Sequence, residues 1–234
     1  MKKTEATPTQ TTTQAEIAII VCGALAREVL AIARRHQWQV DLYALPAILH
    51  NTPRRIPEAL ARKLDELSRR YRKVIVGYGD CGTGGRLDAL IARYPNVRRL
   101  PGPHCYEMYG GEHYEQQMAE KPGTFFLTDF LARSFRGLVW RGLGLDRYPE
   151  LKEEYFRNYT DLVWLAQHSD ARAHARAKEA AQRLGLPLTV ISTGFGPLEE
   201  RLRYLVEEWE PTSGGDATPS EREEVDSPVV EPSS

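Results

Sequence analysis

Cysteine is scarce in this chain. Three occur in 234 residues, Cys22, Cys81 and Cys105, and none has the close partner that marks a small structural zinc knuckle. An odd number of widely spaced cysteines also argues against a disulfide framework. Net charge is almost absent, at −1, so the chain as a whole has no pull toward nucleic acid or anionic membrane. No apolar run approaches the length of a membrane span, and the first ten residues lack the apolar core of a signal peptide. The expectation is a cytoplasmic protein with reduced thiols, acting on a small molecule, with neither nucleic acid nor membrane as partner. There is no sequence-identical internal repeat, and Gly79–Gly85 lacks the Lys-Ser/Thr ending of a P-loop.

What is present is a hydrophobic fraction of 41% with mixed charges, which fits one globular domain of ordinary size. Residues 1–14 are rich in Thr and Gln, and residues 211–234 are acidic and rich in Pro and Ser. Both read as disordered tails, because neither can bury enough surface to offset chain entropy. The domain is therefore expected over residues 15–210. Within it, apolar runs alternate with helical spacing. Strands are expected at Ile17–Cys22, Val40–Leu45, Lys73–Tyr78, Val97–Leu100, Thr124–Leu127, Leu162–Ala166 and Leu188–Ser192. Helices are expected at Ala24–Arg35, Pro57–Tyr71, Arg86–Tyr94, Gly111–Ala119, Phe130–Leu143, Ala171–Leu184 and Pro197–Trp209. Buried strands each followed by a helix predict an α/β, Rossmann-like domain: a mainly parallel sheet with helices on both faces.

Ligands of such folds gather beyond the carboxyl ends of the strands. Cys22, Cys81, Thr128-Asp129 and Thr193-Gly194 all fall there. Taken singly, a cysteine is often a small buried hydrophobe. Cys81 stands apart because it lies in Gly79-Asp-Cys-Gly-Thr-Gly-Gly85, with four glycines in seven residues. Free N–H groups ahead of a helix would lower the pKa of Cys81 and favour its thiolate. Cys105 follows Pro101-Gly-Pro-His104 in a turn-rich loop. The three thiols are expected to share one metal centre, with His50 or His104 as a further ligand or as support behind the ligands. Zinc with an open fourth position fits three cysteines, and so does an iron–sulfur cluster with one free iron. Spacing alone does not separate them.

Asp80, Glu107 and Asp129 are candidate acid–base groups at loop positions, although Asp129, just before a helix, also suits a helix cap. Gly82, Gly84 and Gly85, and Gly194 and Gly196 in Thr193-Gly-Phe-Gly-Pro-Leu-Glu199, are candidates to bind an anionic cofactor or substrate part, and equally fit plain tight turns. His36, His168 and His174 read as surface or helix-end residues.

These motifs carry a family resemblance. Cys22-Gly-Ala-Leu with Glu28, Leu49-His-Asn-Thr-Pro53, Gly77–Gly85, Gly102-Pro-His-Cys-Tyr-Glu107, Leu127-Thr-Asp-Phe-Leu131 and Thr193–Glu199 together resemble the prokaryotic family "domain of unknown function 1638". The resemblance runs from about Ile17 to Leu205. It implies a context of corrinoid-dependent methyl transfer, with a corrinoid protein as partner, and gives no residue a role. The resulting expectation is a zinc-thiolate methyltransferase. Its alternatives are a [4Fe–4S] lyase or desulfurising enzyme, and a metal or corrinoid accessory protein without turnover.

Overall fold

The computed structural model describes residues 15–168 and 170–211. The tails expected at 1–14 and 211–234 lie outside those residues, apart from Pro211. Seven strands form: β1 (Ile17–Cys22), β2 (Val40–Leu45), β3 (Lys73–Gly77), β4 (Val97–Arg99), β5 (Thr124–Thr128), β6 (Asp161–Ala166) and β7 (Leu188–Ser192). Every pairing among them is parallel. The α/β class expected from the alternation is the one observed. The strands divide into a sheet of order β2-β1-β3-β4 and a second of order β5-β6-β7.

Parallel strands need long crossovers, and the helices supply them. They are α1 (Ala26–Arg35), α2 (Ile56–Arg70), α3 (Arg86–Ile91), α4 (Cys105–Gly110), α5 (Glu112–Glu120), α6 (Asp129–Phe135), α7 (Leu151–Phe156), α8 (Ala171–Leu184) and α9 (Pro197–Arg203). The expected helix over Phe130–Leu143 is α6 followed by a π-helical stretch, Arg136–Arg141. A second π stretch, Tyr204–Glu208, extends α9. Helix α4 falls in a segment expected to be loop, and α7 in one given no element.

Three cores hold the layers. Ala18, Ile20, Val74 and Val76 of the first sheet pack against Leu60, Leu64 and Leu67 of α2. Ile19, Val21 and Ile75 on its other face share a core with Phe126, Val163 and Leu165 of the second sheet. Val29 and Ile32 of α1, Met108 and Tyr109 of α4, and Leu198 and Leu202 of α9 fill that shared core. The remaining face of the second sheet packs on Ala173, Ala177 and Ala180 of α8. Strands buried on both faces explain why β1 reads as an unbroken apolar run.

The end of the described chain closes the first sheet. Lys73 opens β3 and is only 1% exposed. Its ammonium donates to the Val206 carbonyl at 3.2 Å and pairs with Glu210 at 2.9 Å, with the Trp209 ring 6.0 Å away. No helix among the described residues is long and apolar enough to cross a membrane.

Trp209 is 5% exposed and lies at the margin of the expected domain. Deleting residues 212–234 is expected to leave the Tm unchanged, whereas Trp209→Ala costs about 3 kcal/mol in a denaturant melt. A Tm drop on deletion, or an unchanged Trp209→Ala, would put the boundary elsewhere.

Candidate functional site

The site begins with a backbone crossing at the carboxyl edge of the first sheet. After β3, Gly79 passes so close to the 102–104 loop that a Cβ there would meet the His104 nitrogen at 2.7 Å and the Gly102 oxygen at 2.9 Å. The Asp80 N–H then donates to the Gly102 carbonyl at 3.1 Å, and the Cys81 N–H to the Pro103 carbonyl at 2.7 Å. These bonds fix Cys81 beside the loop that delivers Cys105, the first residue of α4. Cys81 itself has φ +50°, a conformation that a non-glycine residue rarely adopts. Cys22 arrives from the end of β1, where the Gly23 N–H donates to the Leu45 carbonyl at 2.8 Å.

All three thiols are free and line one cavity of about 350 Å³. His50, Asn51 and Tyr78 line it too. The segment between β5 and β6 adds a largely apolar part of the lining, with Phe130, Leu138, Val139, Phe156 and Tyr159 among its residues. Among the described residues, no group of three or more His, Cys, Asp or Glu side chains stands gathered as a metal site.

The thiols resist ionisation. Burial pushes Cys81 up to about 12, and Cys22 and Asp80 nearby add to the effect. Burial also raises Cys105, helped by Cys81 and Cys22, and burial raises Cys22. The expected low pKa of Cys81 is corrected here: burial outweighs everything else, and the loop N–H groups expected to favour its thiolate are taken by Asp80. Its carboxylate accepts the Gly85 N–H at 2.9 Å, the Thr83 hydroxyl at 2.7 Å and the Gly84 N–H at 3.2 Å. Those bonds, the Gly85 N–H foremost, hold the Asp80 carboxyl below its ordinary value. The loop's N–H groups therefore serve an internal anion.

The other expected residues are accounted for in turn. Asp80, Glu107 and Asp129 do not line the cavity, and each is committed to protein donors. Glu107 takes a bidentate pair from Arg201 at 2.7 and 2.5 Å, tying α4 to α9. Asp129 is fully buried and accepts from Trp164 Nε1 at 3.0 Å and from the Gln167 and His168 N–H groups at 3.2 and 2.9 Å. The α6 cap is Thr128, whose hydroxyl accepts the Leu131 N–H at 3.2 Å, so Asp129 is not the cap. Gly82, Gly84 and Gly85 all have positive φ and shape the Asp80 turn. Gly194 and Gly196 also have positive φ, and a Cβ on Gly196 would strike the Tyr109 carbonyl at 2.1 Å, so that loop is set by close packing. His50 reaches the cavity, and burial lowers its pKa. His104 stands behind the cavity, its Nε2 3.0 Å from the Tyr114 hydroxyl and its Nδ1 buried without a partner among the described residues. Burial lowers its pKa as well, so both imidazoles are biased to the neutral form.

Sequence reasoning missed a second polar group beside the thiols. Glu28 of α1 is 1% exposed, and neither of its carboxylate oxygens has a hydrogen bond among the described residues. Arg133 stands 3.9 Å from it and His168 4.0 Å, so His168 is not a simple surface residue. Arg133 Nη1, His168 Nε2 and the Tyr109 hydroxyl are likewise buried without a hydrogen bond among the described residues, though the first two lie within ion-pair range of carboxylates. Tyr109 links the two groups: Glu28, Cys105, Asp129 and Cys22 all oppose its ionisation, after burial itself. Buried polar atoms without partners cost stability and mark places where bound water or chemistry is expected.

The comparisons with known proteins give a family without an activity. Residues 44–202 match the family described as a protein of unknown function (DUF1638), which is more than half of the chain, so the chain belongs to that family. The matched stretch holds Cys81 and Cys105, while Cys22 and Glu28 precede it. No curated protein and no solved structure matches the chain.

Two outcomes follow from these pKa directions. Burial raises the Glu28 carboxyl, so its cost to the folded state is absent below its ordinary value of 4.5 and grows as pH rises toward the folded value. Glu28→Gln is therefore expected to gain Tm over the parent protein between about pH 4 and about pH 8. A difference that is flat or shrinks with pH would contradict this. In chelator-treated protein, the three thiols are expected to react with iodoacetamide at least about tenfold more slowly at pH 8.5 than in the urea-unfolded chain. Equal rates would refute their raised pKa values.

Proposed function

We propose that this protein is a metalloenzyme in which Cys22, Cys81 and Cys105 bind a thiophilic metal, with the apolar cavity taking the substrate. One observation carries the reading: three strand-end loops deliver three thiols to the same cavity, where Cys22 raises the cost of ionising Cys81, and both raise that of Cys105. A cluster of that kind is unfavourable as three thiolates. A soft cation reverses the balance, because a coordinated thiol gives up its proton outright.

Zinc is the first choice, since three protein ligands and one open position form its usual catalytic arrangement. When bound, it would hold a substrate thiol as thiolate and strengthen it as a nucleophile for methyl transfer. The chain's own contributions follow from the geometry. Phe130, Leu138, Val139 and Phe156 keep water from the substrate, and the neutral His50 is placed to accept a hydrogen bond or complete the ligand set. Asp80 fixes the turn that presents Cys81. A [4Fe–4S] cluster on the same cysteines is the second reading, favoured by a cavity of about 350 Å³, far larger than one ion fills.

Anaerobic purification followed by elemental analysis decides between them. About one zinc per chain supports the first reading, and about four iron with sulfide supports the second. A metal content no higher than that of a Cys22→Ser/Cys81→Ser/Cys105→Ser variant would refute both. Cys81→Ser is expected to lose more metal than His104→Ala, because serine keeps the size but resists deprotonation, while His104 stands behind the cavity. The reverse order would remove Cys81 from the ligand set.

A further inference from the structure

The π-helical stretch Arg136–Arg141 has two working sides, and only one faces the thiols. Leu138 and Val139 line the thiol cavity. On the other side lies a groove of about 410 Å³ lined by Arg133, Arg136, Arg141 and Arg176. The π geometry builds this groove. Residues five apart on an α-helix point about 140° away from one another. Here the Gly142 N–H donates to the Gly137 carbonyl at 3.1 Å, the i to i+5 bond of a π turn. That register stacks Arg141 over Arg136, and Arg141 Nε donates to the Arg136 carbonyl at 3.4 Å.

The groove's charge is not balanced. Its lining residues include one carboxylate, Glu179. Glu179 already accepts from Arg176 at 2.8 Å and from Arg183 at 3.2 Å, and Arg136 reaches it only at 3.8 Å. Arg133 faces inward to Glu28, Asp129 and Asp170 at 3.8–3.9 Å. Arg141 has no carboxylate within salt-bridge range among the described residues. Guanidinium groups that share one groove favour an anion between them. Their planar forks match phosphoryl and carboxylate oxygens two at a time.

We propose that the Arg136–Arg141–Arg176 groove binds a multiply charged oxyanion of a small molecule, pyrophosphoryl or polycarboxylate. Leu138 lines both cavities, so the bound anion sits against the back of the wall that closes the thiol cavity. The proposal does not rest on the metal reading, and neither thiols nor metal enter its test.

The test is calorimetric titration of the full chain with sodium pyrophosphate and, separately, with citrate, at constant ionic strength set by sodium chloride. Saturable binding of one or both is expected, with Kd below about 1 mM. Arg136→Gln/Arg141→Gln should weaken it at least about tenfold, and Arg176→Gln should weaken it in the same direction. The anion that binds more tightly identifies the class. Three results would overturn the proposal: no saturable heat with either anion, affinity unchanged in the double variant at unchanged Tm, or binding of a single-stranded oligonucleotide without a response to either small anion. The last would assign the groove to nucleic acid.

Discussion

The site depends on one close crossing of backbone. Gly79 passes the 102–104 loop with no room for a side chain, and two main-chain bonds then lock Asp80 and Cys81 to Gly102 and Pro103. Without that contact, Cys81 and Cys105 would belong to separate loops at the end of the first sheet. With it, they become neighbours whose charges oppose one another. The left-handed conformation of Cys81 belongs to the same constraint: a strained residue persists where its surroundings over-determine it.

Electrostatics then divides the work among the acidic residues. Asp80, Glu107 and Asp129 read from the sequence as loop acids, yet each accepts hydrogen bonds from protein donors, Glu107 within α4 and Asp129 at the first position of α6. Asp80 holds a turn, Glu107 clamps α4 to α9 through Arg201, and Asp129 anchors the end of β6 to α6. Glu28 is the opposite case: buried, unbonded among the described residues, and within 4.0 Å of Arg133 and His168. A carboxylate whose bonding capacity is already used makes a poor proton carrier, whereas one with free lone pairs in a dry setting retains that capacity.

The strands were legible because parallel strands buried on both faces must be apolar throughout, and their ends then located Cys22, Cys81 and Asp129. Glu28 was legible in principle. It lies one turn beyond Leu25 and one before Ile32, on the buried stripe of α1, and a lone acid on such a stripe marks either a partner or a site. Arg133 and His168 carried no such signal, because only the folded topology brings α6 and the end of β6 to α1. The division of the strands into two sheets was hidden as well. Nothing in an apolar run tells which neighbour it pairs with, and here α1, α4 and α9 pack into the core that the two sheets share.

The π stretch is where sequence pattern and structure diverge most usefully. Phe130–Leu143 reads as one amphipathic helix, but a helix of uniform α pitch cannot turn Leu138 and Val139 to the cavity while stacking Arg141 on Arg136. The wider turn does both. It leaves the Leu138 carbonyl against Gly142, where a Cβ would meet it at 2.1 Å, and Asn51 beside His50 reaches the same carbonyl at 3.5 Å. The irregular turn thus links the loop after β2 to the segment after β5, the two sides of the cavity. Any shift in its register would change the apolar wall and the arginine groove together, because Leu138 belongs to both. A single element that forms two cavities couples their shapes by geometry alone.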